Sequence, residues 1–512
     1  MPHELDPRIR RPLAVLLLGT LLLVARPAPA KQAPPPLVAV AIVVDQLAGW
    51  VALDRLPKLP KNGGFARLLT TSPLGLIEYE HALTETAPAH AALYTAKTPR
   101  ETGITANDVR REHAATEVAS LLQDPNTQII GASGPIPGRP GISLKQLLVP
   151  TLSETLLERD PKSVVVAIST KDRGAAFAGA RVKAGQRPSD VVWWDDRTSQ
   201  VVTSSAFAPK LPAWVSQPKL PAEFRWEVSP EVKSLSRLPD DQAGEAADLG
   251  GGTFPHVFPA NGKSFRVSAY ADKLTVDLAL AAVNANRTPS HPMLVALSFS
   301  RYDYVGHRFG PESWEAWQAL LDLDRELARL FKGLDAALGE DTYSVVLTAD
   351  HGVAPLPESV SATSPWCGAA ENPFDLPCSP GTRLSTKTLA RKSGAKRVAD
   401  ALVYGASDPT ALETEPGIAK VLKVCDLDPK RSTLERLVYN SMPPCAGARN
   451  DQIVPDYYVV ATPGSFFDDP PDVAGHGTPY LYDRTVPLLG GNVGDGTFRS
   501  FYRSVWRALT GE

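Results

Sequence analysis

The 512-residue chain lacks the features that would suit it to nucleic acid, to a membrane interior or to a cysteine-bound zinc site. Its 53 lysines and arginines face 56 acidic residues, so the formal charge is −3 and no basic excess is available for a phosphate backbone. Only four cysteines are present, and no two of them have the C-x₂-C spacing of structural zinc sites. After residue 30, no apolar run is long enough to cross a bilayer. We therefore expect no nucleic-acid partner.

The first 30 residues have the pattern of a secretory signal peptide. Arginines between Arg8 and Arg11 precede an apolar run from Leu13 to Ala25, and Ala28-Pro-Ala30 supplies the small residues of a cleavage site. We expect cleavage after Ala30, a periplasmic or secreted protein, and no stable membrane insertion afterwards. An uncleaved N-terminal anchor is the alternative. Residues 1–30 hold four arginines and two acids, so their removal changes the formal charge from −3 to −5.

The four cysteines fall into two local pairs, Cys367 with Cys378 and Cys425 with Cys445. An even number of cysteines in an exported chain favours disulfides, for which three connectivities are possible. We favour the two local pairings. Zinc coordination by the four thiols is the competing interpretation.

Buried strands alternating with helical patterns predict an α/β fold with a central, mostly parallel sheet covered by helices on both faces. Continuous apolar runs rich in β-branched residues, typical of strands buried on both faces, occur at 37–44, 163–168, 293–299 and 344–348. Residues 112–142 are rich in Gly and Pro and show few clear elements. We expect one domain over 31–512, with inserted cap segments near 186–260 and 355–450.

Polar side chains that suit a divalent metal follow the predicted strands, where open α/β sheets place their ligand sites. Each residue alone has an ordinary interpretation as a turn, cap or surface residue, but their joint occurrence at separate strand ends is hard to explain by packing. Carboxylate and imidazole are zinc ligands, and three of each could hold two ions. The set is Asp45, Asp303, His307, Asp350, His351 and, from a late loop, His476.

Thr86 precedes Pro88 and a run of small residues, which predicts a helix N-terminus. The free N–H groups and the dipole of such a terminus attract an anion, although threonine there is also an ordinary cap. A hydroxyl bound to a dication loses its proton more readily, so Thr86 could attack a phosphoryl group. Asn107, Lys171 and Arg173 could bind the phosphoryl oxygens, the alternative being ordinary solvated loop residues.

At these residues the chain resembles the alkaline phosphatase superfamily, and most closely its monomeric, zinc-dependent, phosphate-irrepressible bacterial alkaline phosphatases with a threonine nucleophile. The matching stretches occur in the order of the family and cover most of 36–490. They are VVDQL at 43–47, TETAPAHAALYT at 84–95, GITAND at 103–108, STKDRGA at 169–175, LPAWV at 211–215, SFSRYDYVGHRFGP at 298–311, ADHGVAPLPE at 349–358 and GHGTPYLYDRTVPLL at 475–489.

The resemblance implies an alkaline-phosphatase-like sandwich as the fold, two zinc ions as cofactors and a phosphothreonine intermediate on Thr86. It also implies that Asn107, Lys171 and Arg173 bind the phosphoryl oxygens. One zinc would be held by Asp45, Thr86, Asp350 and His351, and the other by Asp303, His307 and His476.

Lys171 and Arg173 favour one reaction over another. In related nucleotide pyrophosphatases and phosphodiesterases the asparagine is kept, but this Lys-x-Arg pair is not. A monoester has a charged oxygen where a diester carries a second organic group, and paired cations suit the monoester. We therefore expect a phosphomonoesterase acting on small phosphate esters, and the resemblance implies a monomer. The alternatives are a phosphodiesterase of the same superfamily and a metal-binding homologue without catalysis. We expect His90 to have a structural part only.

Overall fold

The computed structural model of the chain describes residues 38–110, 118–236, 238–241, 245, 251–288, 290–361, 363–406, 409–446, 452–467 and 472–512. All of them belong to one compact unit, Pro35–Glu512. The signal-peptide prediction for residues 1–30 lies outside the described residues. Among the described residues, no helix combines the length and the apolar character that crossing a bilayer requires.

The strands, in chain order, alternate with helices over most of the chain. They are β1 (Val38–Val44), β2 (Gly75–Glu78), β3 (Asp108–Arg110), β4 (Val118–Ser120), β5 (Gln123–Gly131), β6 (Gly134–Ile142), β7 (Val164–Ser169), β8 (Asp190–Asp195), β9 (Gln200–Ser204), β10 (Glu223–Trp226), β11 (His256–Pro259), β12 (Met293–Phe299), β13 (Ser344–Thr348), β14 (Arg383–Leu384), β15 (Arg397–Ala399), β16 (Leu402–Tyr404), β17 (Ile418–Lys423), β18 (Tyr457–Ala461), β19 (Phe466–Phe467) and β20 (Thr485–Leu489).

The helices range from single turns to the 25-residue α11. They are α1 (Gly49–Arg55), α2 (Gly64–Thr71), α3 (Thr86–Thr95), α4 (Pro99–Thr102), α5 (Leu152–Arg159), α6 (Asp172–Ala176), α7 (Pro230–Leu235), α8 (Gly262–Phe265), α9 (Tyr270–Asn286), α10 (Arg301–Phe309), α11 (Trp314–Leu338), α12 (Thr386–Ser393), α13 (Thr410–Glu413), α14 (Thr433–Ser441), α15 (Leu481–Arg484) and α16 (Arg499–Thr510). Short 3₁₀ turns lie at Leu56–Lys58, Pro357–Ser359, Pro365–Cys367 and Val424–Asp426.

The main sheet has ten strands in the order β2-β20-β13-β1-β12-β7-β8-β9-β5-β6. Its centre, from β13 to β8, is parallel, and both edges are antiparallel. Every residue of β1, β7 and β12 is buried, which requires cover on both faces. Helix α9 packs on β7 and β12, and α16 packs on β1 and β13. The four strands predicted from apolar runs are thus the central strands of the sheet.

The antiparallel edge formed by β5 and β6 was not apparent from the sequence. Both strands lie in the Gly- and Pro-rich stretch 112–142, and β5 pairs with β9 to extend the main sheet. Their pairing shifts register twice, between Asp124 and Gln128 and between Gln128 and Ile130, so the alternation of apolar and polar residues is broken. The prolines of β6 are tolerated because β6 is an edge strand, and Pro125 of β5 lies in the shifted stretch between Asp124 and Gln128.

The two segments expected to be insertions contribute differently to the fold. Strands β8 and β9, in the first segment, belong to the main sheet, whereas β10 and β11 form a separate two-stranded sheet. In the second segment, β15, β16 and β17 join β18 in a four-stranded sheet of their own. Disulfides Cys367–Cys378 and Cys425–Cys445 confirm the favoured local pairings. The domain boundaries remain predictions.

The central strands should carry much of the stability, which a matched pair of leucines can test. Leu297 in β12 is 0% exposed, and Leu53 in α1 is 53% exposed. We expect Leu297→Ala to lower the free energy of unfolding by about 2–5 kcal/mol through lost contacts and a residual cavity. Leu53→Ala should change it by less than about 0.5 kcal/mol. Urea-denaturation midpoints of the two variants would measure the difference, and equal midpoints would contradict this view of the core.

Candidate active site

The candidate site lies beyond the carboxyl ends of the central parallel strands. Asp45 directly follows β1, Asp350 follows β13 by two residues, and Lys171 follows β7 by two. Asp303 lies in the first turn of α10, the helix that follows β12. Neighbouring parallel strands end at the same edge of a sheet, so these side chains converge although they are far apart in the chain. This is the placement that the sequence predicted.

Thr86 occupies the first position of helix α3, after the N-cap residue Glu85. The sequence suggested that Pro88 would begin this helix, but it stands two residues further in. Proline is tolerated there because N–H groups in the first turn have no intrahelical acceptor. Thr86 is 1% exposed, and its Oγ1 lies 3.3 Å from Nζ of Lys171. The hydroxyl is therefore held at a helix N-terminus next to a cation.

The six predicted aspartate and histidine ligands form two compact groups. In each group one ligand atom per residue lies within 4.8 Å of the others. In the first, His351 Nε2 is 3.4 Å from Asp45 Oδ1 and 3.6 Å from Asp350 Oδ2. In the second, Asp303 Oδ1 is 3.1 Å from Nε2 of His307 and 3.8 Å from Nε2 of His476. The division into groups is the one that the family resemblance implied.

The three imidazoles are oriented in the same way, by a hydrogen bond from Nδ1 to a backbone carbonyl. A carbonyl oxygen can only accept, so Nδ1 carries a proton and Nε2 faces the carboxylates. Metal-bound histidines usually donate a hydrogen bond from the ring nitrogen that does not bind the metal, as Nδ1 does here. The acceptors are Ala474 for His307 at 2.8 Å, Gly352 for His351 at 3.0 Å and Thr84 for His476 at 2.7 Å.

These residues fit divalent metal ions such as zinc. Asp45 Oδ1 and His351 Nε2 are buried and accept no hydrogen bond from the described residues, which is costly unless a cation satisfies them. Burial, and then the charges of Asp303 and Asp350, raise the pKa of Asp45 well above its ordinary value. A cation between the carboxylates would remove that repulsion. The mixture of imidazole nitrogen and carboxylate oxygen is a zinc donor set.

Lys171 links the two ligand groups. Its Nζ lies 2.6 Å from Asp45 Oδ2 and 2.6 Å from Asp303 Oδ2. Burial opposes ionisation of both partners, but this lysine and then His307 hold the pKa of Asp303 well below its ordinary value. Asp303 in turn raises the pKa of His307 to about 10, against the effect of burial. Because a ligand imidazole must be neutral, metal binding at His307 displaces a proton.

Asn107 and Arg173 line the same cavity of about 630 Å³ as Thr86 and Lys171. Asn107 Oδ1 accepts a hydrogen bond from the N–H of Ala87 at 2.8 Å, so its NH₂ group is the end left for a ligand. Nε of Arg173 is buried and has no acceptor among the described residues. Every site residue predicted from the sequence is thus brought to one place.

Two further residues support the ligands and were not singled out as site residues. Gln46, with φ +69°, donates from its backbone N to Asp350 Oδ1 at 3.2 Å and from Nε2 to Asp303 Oδ1 at 2.9 Å. His90 Nδ1 is 3.2 Å from Asp350 Oδ2 and 2.9 Å from the carbonyl of Thr86. A left-handed backbone at a non-glycine residue is rare and concentrates at functional sites, but no sequence pattern announces it.

The fold and the paired ligand groups define a protein of the alkaline phosphatase superfamily. Residues 39–471 match the model of the type I phosphodiesterase / nucleotide pyrophosphatase family, and the chain belongs to that family. The resemblance stated from the sequence is therefore confirmed.

Similar proteins include alkaline phosphatases of known sequence and structure. Alkaline phosphatase PafA of Elizabethkingia meningoseptica is 30% identical over 63% of this chain, and PhoV of Synechococcus elongatus is 31% identical over 63%. This chain spans 60% of the length of each of them. The crystal structure of wild-type PafA aligns with a TM-score of 0.68 at 23% identity, over 90% of this chain and 91% of that one. That likeness confirms the expected fold.

His90 offers a test of how the first ligand group is held in position. We expect His90→Ala to weaken zinc binding by about 10- to 100-fold, because Asp350 loses a partner that orients it. His291→Ala is the matched control, since His291 is partly exposed and pairs with Asp160. Zinc content at a fixed free zinc concentration measures the effect, with thermal unfolding as the check on folding. Equal zinc retention by both variants would contradict the orienting role.

Proposed function

We propose that this protein is a zinc-dependent phosphomonoesterase, which hydrolyses small phosphate monoesters to an alcohol and inorganic phosphate. The observation that carries the proposal is the position of Thr86. Its hydroxyl lies at a helix N-terminus, 3.3 Å from a lysine that contacts a carboxylate of each ligand group. A hydroxyl so placed suits a nucleophile toward phosphorus. An ordinary helix cap has no need of buried metal ligands around it.

Two bound zinc ions would supply the Lewis acidity that lowers the pKa of the Thr86 hydroxyl and neutralises phosphoryl charge. The first group, with Thr86, would hold one ion and the second group the other. Thr86 Oγ1 attacks phosphorus, the alcohol leaves, and the phosphoryl group remains on threonine. Water then hydrolyses the phosphothreonine. Oxygens of the transferred group face the N-terminus of α3, where the helix dipole favours negative charge.

Asn107, Lys171 and Arg173 bind those oxygens in this proposal. The NH₂ group of Asn107 donates a hydrogen bond, because its carbonyl oxygen is already occupied by the N–H of Ala87. Lys171 acts as a point charge, and the planar guanidinium of Arg173 can bind two oxygens at once. Such donors act most strongly in the transition state, where they stabilise the charge on the transferred phosphoryl group.

The two cations support a monoester rather than a diester as substrate. A monoester presents one more anionic oxygen than a diester does, and that oxygen requires compensation in a cavity of low dielectric constant. Lys171 and Arg173 line the cavity beside Thr86, and their positive charges supply this compensation. Hydrolysis of diesters is the competing activity, and the ratio of the two rates decides between them.

Export belongs to the same proposal. Two disulfides occur in the described chain, and disulfides form and persist in oxidising compartments. The signal-like pattern of residues 1–30 is consistent with a periplasmic or secreted protein. We propose that the exported protein is a monomer with one catalytic domain over 31–512.

Thr86→Ala tests the nucleophile directly. We expect phosphate release from 4-nitrophenyl phosphate to fall by several orders of magnitude, on the order of 10³-fold or more, because no hydroxyl remains to form the intermediate. Zinc content should be largely retained, since six side-chain ligands remain. Thr86→Ser keeps a hydroxyl and is the matched control. Near-normal turnover by the alanine variant would exclude Thr86 as nucleophile.

Arg173→Ala tests the preference for monoesters. Loss of a charge-assisted contact costs about 1.5–3 kcal/mol, or on the order of 10- to 100-fold in kcat/KM, for the substrate that uses it. We expect this loss for 4-nitrophenyl phosphate and a much smaller one for its methyl diester. Arg225→Ala, at an exposed arginine of β10, controls for the change in net charge. Equal losses on both substrates would show that Arg173 does not recognise the extra charge.

A further inference from the structure

The cavity at Thr86 is larger than the transferred phosphoryl group requires. Its volume of about 630 Å³ lies in the range of pockets that enclose a whole small ligand. Thr86, Asn107, Lys171 and Arg173 line one part of it. A further part of the wall comes from residues that have no role in the proposed chemistry, and among these are Lys263 and Arg266. This part of the wall is where the alcohol portion of a substrate can lie.

Lys263 and Arg266 are held by a short, well-anchored element. Helix α8 (Gly262–Phe265) carries Lys263, and Arg266 is its C-cap residue. The side chain of Asn261 accepts hydrogen bonds from the N–H groups of Lys263 and Ser264 at 3.0 and 3.1 Å, which fixes the start of the helix. The two cations are therefore presented from defined backbone positions.

Arg266 is positioned relative to the helix that carries the metal ligands. Its Nη1 donates to the hydroxyl of Tyr304 at 3.0 Å, and its guanidinium lies 4.3 Å from the centre of the tyrosine ring. Tyr304 belongs to α10, directly after Asp303. Nη1 also lies 3.0 Å from Asp196 Oδ2. These contacts hold Arg266 at a fixed position relative to Asp303 and the ligand group to which it belongs.

Arg266 nevertheless keeps a donor without a protein acceptor. Its Nε is buried and has no hydrogen-bond partner among the described residues, and its side chain is 28% exposed. It also lines a second cavity of about 440 Å³, which shares Arg173 and Tyr304 with the first. Lys263 is exposed and forms no ion pair with any described residue, whereas the nearby Arg308 is paired with Asp472 at 3.1 Å. The wall thus offers cationic donors that the protein itself does not fully use.

We propose that Arg266 and Lys263 form a second anion-binding subsite, which takes a carboxylate or phosphate carried on the alcohol part of the substrate. The inference rests on the proposed function, because the Thr86 end must take the phosphoryl group that is cleaved. The substrate class is then phosphate monoesters with a second anionic group. The planar fork of Arg266 suits both carboxylate and phosphate, and Lys263 adds a mobile charge.

Binding to the zinc-loaded Thr86→Ala protein tests the subsite without turnover. Calorimetry would compare 3-phosphoglycerate with glycerol 3-phosphate, which differ by a carboxylate in place of a hydroxymethyl group. A second arm would compare fructose 1,6-bisphosphate with fructose 6-phosphate. We expect about tenfold tighter binding of the doubly anionic ligand in at least one arm, and the arm that shows it identifies the anion. Adding Arg266→Gln should reduce this preference to about twofold or less, and Lys263→Gln should reduce it partly.

Arg225→Gln is the control, because it removes the same charge from an exposed arginine on β10. It should leave the preference intact. Equal affinities within both pairs, a preference that survives Arg266→Gln, or an equal loss with Arg225→Gln would overturn the subsite. Phosphate release by the unmodified protein is measured separately. Its absence from all four compounds would count against the proposed function, while the binding preference still decides the subsite.

Discussion

The structure depends on the burial of three carboxylates of like charge in one place. Asp45, Asp303 and Asp350 are at most 2% exposed, and isolated ions in such surroundings would cost far more than a folded protein can spare. Lys171 offsets part of this charge by contacting two of the three. The remainder calls for further cations, and the two candidate ligand groups are placed so that divalent metals could supply them. Lys171 takes part in this compensation and also binds the phosphoryl oxygens in the proposed chemistry.

The fold brings the carboxylates together through the parallel centre of the sheet. A parallel sheet aligns the ends of strands that are distant in the chain. Here an acidic residue lies after three of the aligned strands. Two neighbouring side chains, those of Gln46 and His90, then help to fix the positions of these acids. Gln46 contacts both ligand groups at once, and His90 lies between Asp350 and the backbone carbonyl of Thr86 in α3. Thr86 and the two ligand groups are therefore connected by hydrogen bonds and ion pairs.

Much of this could be predicted from the sequence, for identifiable reasons. Short apolar runs rich in β-branched residues favour buried strands, so β1, β7, β12 and β13 and the acids after them could be located. Motif order then divided the ligands into two groups, which spacing alone could not do. Strands β5 and β6 were missed because bulges, glycines and prolines disrupt their alternation. Gln46 lies within the matching stretch 43–47, but its contacts with both ligand groups are tertiary and could not be read from that stretch. The contacts of Arg266 with Tyr304 and Asp196 are tertiary as well.

The hydrogen bonds that orient His307, His351 and His476 all end on main-chain carbonyls. The hydrogen bonds themselves require no particular side chain at the accepting positions, because a carbonyl is present whatever residue is encoded. The orientation of each imidazole therefore depends on the backbone path of the loop that accepts its hydrogen bond, and not on the side chain at the accepting position. Packing still restricts these positions, since a Cβ at Gly352 would lie 2.0 Å from the carbonyl oxygen of Tyr482 and the side chains of Thr84 and Ala474 are buried. Substitutions in these loops are therefore limited by packing and not by the hydrogen bond to the imidazole. An insertion or deletion that bends one of them, in contrast, would turn an imidazole away from the other residues of its ligand group.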